Sequence, residues 1–197
     1  SYQFQDMPDP VLQKLDLHIK PNEKVCIVGK NGTGKETLLN VLAGIYTSYK
    51  GMILYNHVSL VDIEREHLHE SIERNVTNEG IFNGSLLENI TMNRPNVTMK
   101  DAYDTLQQLQ LLDVIGQLKE GLQTEMVSGG RRFSSSFAAK IGIARCIINK
   151  PKLLLISECY EHFDRKYITD LLEILCAKTA PWTFVTISND AQIMAAC

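Results

Sequence analysis

One short stretch restricts this chain more than any other. Glu23-Lys-Val-Cys-Ile-Val28 is an apolar run rich in β-formers, and it leads straight into Gly29-Lys30-Asn31-Gly32-Thr33-Gly34-Lys35. Thr37 to Ala43 then carries leucines at helical spacing and stops at Gly44. A strand, a glycine-rich turn and a helix in that order make a Walker A loop. The glycines let backbone N–H groups face phosphate, and the helix N-terminus adds the positive end of its dipole. Lys35 has the reach to meet the β- and γ-phosphates. One position breaks the pattern. The residue after the lysine should offer a hydroxyl to Mg²⁺, and here it is Glu36, with Thr37 following intact.

The rest of the chain fits such a loop. Leu153-Leu-Leu-Ile156 has the uncharged character of a strand buried on both faces, and Thr183–Ile187 reads as a second strand. Residues 51–62 suggest short strands joined by turns, and Glu64 to Ile72 a short helix. From Gly84 to about Gln117 the spacing of Leu86, Leu87, Ile90, Leu106, Leu109 and Leu112 is helical. Further helices are expected over Ser134–Ile148, Asp164–Cys176 and from Asp190 onward. The alternation predicts an α/β fold of the P-loop NTPase kind: a mainly parallel sheet flanked by helices, with a small antiparallel β part. Residues 84–150 are too many for a crossover and read as an inserted α-helical subdomain. Residues 1–83 and 151–197 would form the nucleotide-binding core of a single domain covering 1–197.

Composition narrows the class of function. Of 197 residues, 44% are hydrophobic and 22% charged, which suits a soluble domain with a real core. A net charge of −3 gives no electrostatic footprint for nucleic acid, so none is expected as a partner. No apolar run approaches the roughly 20 residues that span a bilayer, and the first residues lack a signal-peptide pattern. Cys26, Cys146, Cys159, Cys176 and Cys197 are dispersed without metal-ligand spacing, as in a cytosolic domain with reduced thiols.

At this point the chain resembles a family. VLQKLDLHIKPNEKVCIVGKNGTGKETLLNVLAGIY is similar to the start of an ABC-transporter nucleotide-binding domain. IFNGSLLENI resembles the segment after the Q-loop in ABC exporters, and GLQTEM with the later Gly-Gly resembles the exporter loop before the signature. PKLLLISECYEHFD has the spacing of Walker B plus D-loop, and TFVTISND resembles the last strand and switch loop. The resemblance runs over nearly the whole chain. The family's first strand and its β-segments after the switch loop find no match, so the sequence reads as part of a longer domain.

The resemblance implies a role for each matched position, and several are altered. Walker B should end in Asp then Glu; the Asp holds Mg²⁺ through water and the Glu activates the attacking water. Here those positions are Ser157 and Glu158, so the base is kept and the metal-orienting carboxylate is not. Spacing from Gly121 to Arg145 puts the signature at Phe133-Ser134-Ser135-Ser136-Phe137 rather than at Val127-Ser-Gly-Gly130. Ser134 keeps the hydroxyl that would touch nucleotide on a second subunit. Ser135 and Ser136 put side chains where glycines should let backbone approach phosphate. A helix N-terminus with serine caps is the plainer alternative. The Q-loop glutamine matches Thr77, or Asn78 with one deletion, and the switch histidine matches Asn189. Asn donates a hydrogen bond but carries no proton or charge at neutral pH. The adenine-stacking aromatic matches Phe4, with Tyr2 as the alternative, and Asp164 matches the D-loop aspartate.

Taken together the resemblance implies an ATP-binding domain of an ABC exporter whose hydrolysis is weak or absent. The ATP site would comprise Phe4, Gly29 to Thr37, Thr77 and Ser157. Mg²⁺ is left in question, because the loop hydroxyl, the glutamine and the Walker B aspartate are all changed. Glu36 is the candidate replacement ligand, and the opposing reading is that it repels the triphosphate. The implied partners are a transmembrane domain, on the same or a companion chain, and a second nucleotide-binding domain. The expected docking surface is the groove between the sheet core and the helical subdomain, near Phe82–Ile90, and the domain is expected on the cytoplasmic face of the membrane. An active ATP-hydrolysing motor with rearranged Mg²⁺ ligands is the alternative, and a soluble ABC-type protein acting on ribosomes or DNA a further one.

Overall fold

The uncharged runs build the centre of a parallel sheet. A computed structural model describes residues 1–75, 81–127, 133–157 and 159–197. Four strands, β1 (Lys24–Ile27), β4 (Ile72–Asn75), β7 (Leu153–Ser157) and β8 (Thr183–Ile187), lie in the order β1-β8-β7-β4. β8 pairs in parallel with both neighbours, and Ile27, Ile187 and Ser157 fall in one row at the strands' C-terminal ends. Every residue of β7 is buried, as its uncharged sequence predicts. β4 was not foreseen. Ile72-Glu-Arg-Asn75 carries charge and shows little β-propensity, so neighbours rather than local preference make it a strand.

Helix α1 (Lys35–Leu42) lays Leu39 on this sheet. Leu39 forms one core with Leu153, Leu155, Val185 and Ile187, and Ile72 packs against it. Strand side chains alternate between faces, so Arg74 shares the face of Ile72, and Ser157 that of Leu153 and Leu155. The sheet face that holds α1 therefore carries Arg74 and Ser157 among its aliphatic residues.

The antiparallel parts are small. β2 (Leu54–Tyr55) and β3 (Val58–Ser59) are joined by Asn56 and His57, both at positive φ, which suits a tight hairpin. β5 (Gly84–Ser85) pairs with β6 (Glu125–Met126). Helices α2 (Arg65–Ser71), α6 (Ser135–Ile147), α7 (Arg165–Leu175) and α8 (Ala191–Ala196) lie close to their expected bounds. The helical run from Gly84 divides into α3 (Leu86–Thr91), α4 (Met99–Gln108) and α5 (Leu112–Gly116). α3 ends at Met92 and Asn93, both left-handed, and Pro95 follows, so one long helix cannot form.

The chain forms two compact units. One comprises Ser1–Arg74, Pro151–Ser157 and Pro181–Cys197; the other comprises Asn75–Lys150 and Glu158–Ala180. In the second unit α3 packs against α4 and α6. Its buried Asn89 binds the surrounding backbone. The side-chain oxygen accepts from Phe82 N at 3.0 Å and Arg145 Nη2 at 3.3 Å, and the nitrogen donates to the carbonyls of Phe82 and Ser85, each at 3.0 Å. Among the described residues no helix is long and apolar enough to cross a membrane.

Candidate nucleotide-binding site

The site grows from the row in which β1 ends. Gly29 to Gly34 turn from β1 into α1, and Gly34 caps the helix at φ +85°. A Cβ there would stand 2.7 Å from Val11 Cγ1 and 3.2 Å from Val11 O, so both conformation and space demand glycine. Lys30, Asn31, Gly32 and Thr33 are exposed, whereas Lys35 and Thr37 are drawn inward. The loop is folded on itself. Lys35 Nζ donates to the carbonyls of Gly29 at 2.8 Å and Lys30 at 2.7 Å. Thr33 Oγ1 donates to Lys30 O at 2.9 Å. Bound phosphate would compete for the lysine's donors.

Asn189 meets this loop. Its Oδ1 accepts from Gly29 N and its Nδ2 donates to Gly29 O, both at 3.0 Å. The switch-position residue thus holds the first loop glycine with both ends of its amide. Asp190, next in sequence, caps α8 by accepting from Gln192 N at 2.9 Å.

Glu36 has a partner that the sequence reading did not foresee. Arg74 Nη2 lies 2.5 Å from Glu36 Oε2, and Arg74 Nη1 donates to Asn40 Oδ1 at 2.5 Å. The Arg74 side chain is only 7% exposed, against 43% for Glu36. Asn40 lies one helical turn beyond Glu36, so both face the same guanidinium. Nearby in the sheet, Ser157 is fully buried and its hydroxyl has no hydrogen-bond partner among the described residues. Glu36 Oε1 and Arg74 Nε are buried and equally unpartnered there. Arg74 and Asn40 are the residues that sequence reasoning missed. The signal was present: an acid placed among apolar α1 neighbours calls for a cation, and the charged strand Ile72–Asn75 supplies one.

The other expected positions are distributed as follows. Phe4 stands edge-on to Tyr2 and Tyr46, with centroids 5.0 and 5.7 Å apart, while Tyr2 and Tyr46 stack at 5.2 Å. Both aromatic candidates therefore belong to one cluster, with Phe4 the more exposed. Ser134 caps α6, its Oγ accepting from Phe137 N at 3.1 Å. Ser135 is exposed and Ser136 half-buried, and Phe133 stacks on Phe137 at 4.9 Å. Asp164 caps α7, accepting from Tyr167 N at 2.8 Å. Thr77, Asn78, Glu158 and Gly129-Gly130 lie outside the described residues. Burial pushes the thiol of Cys159 up to about 12, so it is no nucleophile at neutral pH. No cluster of His, Cys, Asp and Glu able to hold a metal occurs among the described residues.

A self-closed phosphate loop at a helix N-terminus, on the C-terminal edge of a parallel sheet, defines a P-loop nucleotide-binding domain. Residues 12–161 match the family described as ABC transporter, and the chain belongs to that family. It is 29% identical over 176 residues to an ABC-type transporter, kk1G, of Curvularia clavata, covering 88% of this chain and 13% of that protein. It is 28% identical over 178 residues to a Staphylococcus aureus protein named for multidrug export as an ATP-binding/permease protein, covering 89% of this chain and 31% of that one. The chain thus spans under a third of the length of these curated relatives. A bacterial Atm1-family ABC exporter with ATP bound shares the fold, with a TM-score of 0.90 at 22% identity over 98% of this chain and 34% of that one.

Proposed function

We propose that this chain is the ATP-binding domain of an ABC exporter, that it retains nucleotide binding, and that it serves more to couple or support than to hydrolyse. Ser157 carries this reading. In the resemblance it occupies the place of the metal-orienting aspartate, and it is a fully buried, neutral hydroxyl with no partner among the described residues. Asn189, neutral at every physiological pH, occupies the place of the switch histidine. Removing one preorganised electrostatic contact costs on the order of 10²–10³ in rate. Glu158 remains as the base position, and Ser134, Ser135 and Ser136 as the altered contact to a partner's nucleotide. The loop from Gly29 to Thr37, in contrast, supports nucleotide binding, since it leads into the N-terminus of α1 and Lys35 folds back over it. Sites of this kind combine the Walker motifs of one subunit with the signature of another. This chain is altered in both, so homodimer and heterodimer alike would hold impaired sites.

The domain would sit on the cytoplasmic face of a membrane, against a transmembrane domain of its own or a companion chain, and beside a second nucleotide-binding domain. The stretch Phe82–Ile90 is the proposed docking surface. Ser85, Leu86, Asn89 and Ile90 are buried, which leaves Phe82, Asn83, Gly84, Leu87 and Glu88 to meet a partner. Cysteine placed at Asn83 or Leu87 of the membrane-borne protein should cross-link to a loop of the transmembrane domain. Reaction with solvent reagents alone, and never with such a loop, would refute the docking.

A further inference from the structure

In the resemblance to ABC domains Glu36 and Ser157 fall at positions that would serve Mg²⁺, and here Glu36 pairs with a guanidinium instead. Side-chain alternation puts Arg74 and Ser157 on the sheet face that packs α1, and Glu36 projects from the first turn of α1 onto Arg74. The carboxylate that would attract a metal is already neutralised at 2.5 Å by a guanidinium that is always charged. Ser157 offers a neutral oxygen in place of an anion. Among the described residues the set does not fit a divalent cation: a buried positive charge stands beside Glu36, and the other side-chain oxygens there, Ser157 Oγ and Asn40 Oδ1, carry no charge. Bound cations are commonly the largest local charges in a phosphate site. Here that position holds the Glu36–Arg74 pair, whose charges cancel.

We propose that the Glu36–Arg74 pair closes this position to Mg²⁺, so that this domain binds nucleoside triphosphate independently of metal. This rests on the reading of the chain as a nucleotide-binding domain. Glu36 anchors the guanidinium, with Asn40 as its second support. Arg74 offsets the negative charge that Glu36 would otherwise bring beside the loop, and is a positioning residue rather than a catalytic one.

Equilibrium titration of the 197-residue chain with a fluorescent ATP analogue, in Mg²⁺ and in EDTA, tests this. The two dissociation constants should agree within about fivefold. Arg74→Leu should weaken binding in EDTA at least about tenfold, and Mg²⁺ should restore most of it, because Glu36 is then free to take the metal. Arg74→Lys keeps a cation for Glu36 but loses the second bond to Asn40, so its affinity in EDTA should fall between those of the unmodified chain and Arg74→Leu; if Arg74→Leu does not fold by circular dichroism, the unmodified chain in Mg²⁺ and in EDTA decides the matter. Binding by the unmodified chain that tightens more than about fivefold with Mg²⁺ overturns the proposal and leaves the nucleotide-binding reading intact. Failure to bind in either condition overturns the nucleotide-binding reading, and the proposal with it. Mn²⁺ alone, followed by electron paramagnetic resonance, should stay free in solution; Mn²⁺ bound by the unmodified chain and released in Glu36→Ser would also overturn the proposal.

Discussion

Two glycines of the phosphate loop separate space from conformation. Gly32 and Gly34 both have positive φ, +81° and +85°. A Cβ on Gly32 meets nothing within 4 Å among the described residues, whereas one on Gly34 runs into Val11. Gly32→Ala should therefore cost only backbone strain, about 1–2 kcal/mol. Gly34→Ala should cost about 2–4 kcal/mol, because the chain carrying Val11 must also move. Chemical denaturation of the two variants checks the ordering. The same scale shows where the sequence was legible. Gly29–Lys35 and the break at Glu36 could be read directly, since phosphate binding dictates residue type and spacing. The meaning of Glu36 could not, because its partner lies 38 residues away on a strand that local propensity does not announce.

At the scale of elements, caps and one buried amide fix the helical unit. Thr98 and Asp101 form a capping box at α4, and Lys150 Nζ lies 3.0 Å from Asp101 Oδ1. The hydrogen bonds from Thr98, aided by Lys150, hold the Asp101 carboxyl well below the usual carboxylate range. A carboxyl depressed in the folded state contributes stability above its unfolded value, near 3.9, and loses it as pH falls toward the folded value. Asp101→Asn should thus be less stable than the unmodified chain at pH 7. The gap should narrow steadily once pH drops below about 4, as thermal unfolding at a series of pH values will show. Asn89 matters more. Asn89→Leu leaves Phe82 N, two carbonyls and an arginine nitrogen without their side-chain partner in a buried place. Each such loss costs about 1–3 kcal/mol, so a total near 3 kcal/mol or more is expected in urea denaturation. Within IFNGSLLENI, Ser85, Glu88 and Asn89 thus serve the unit's own capping and packing. Helical spacing revealed α3 and α4 but not the break between them, which Met92, Asn93 and Pro95 impose.

At the scale of the whole molecule, the glycine-rich turn Gly29–Lys35 shares one end of the sheet with Ser157 and Asn189, the residues matched to the metal-orienting aspartate and the switch histidine. The parallel order of β1, β8 and β7 carries Gly29, Ser157 and Asn189 to the same end of the sheet. That convergence was readable from alternating strands and helices. The charge balance there was not, since it depends on tertiary partners. Steady-state phosphate release with saturating ATP and Mg²⁺, compared with the Glu158→Gln variant, tests the central claim most directly. The account predicts that both proteins release phosphate at the same background rate. Turnover near about 1 s⁻¹ or above in the unmodified chain, abolished in Glu158→Gln, would contradict it.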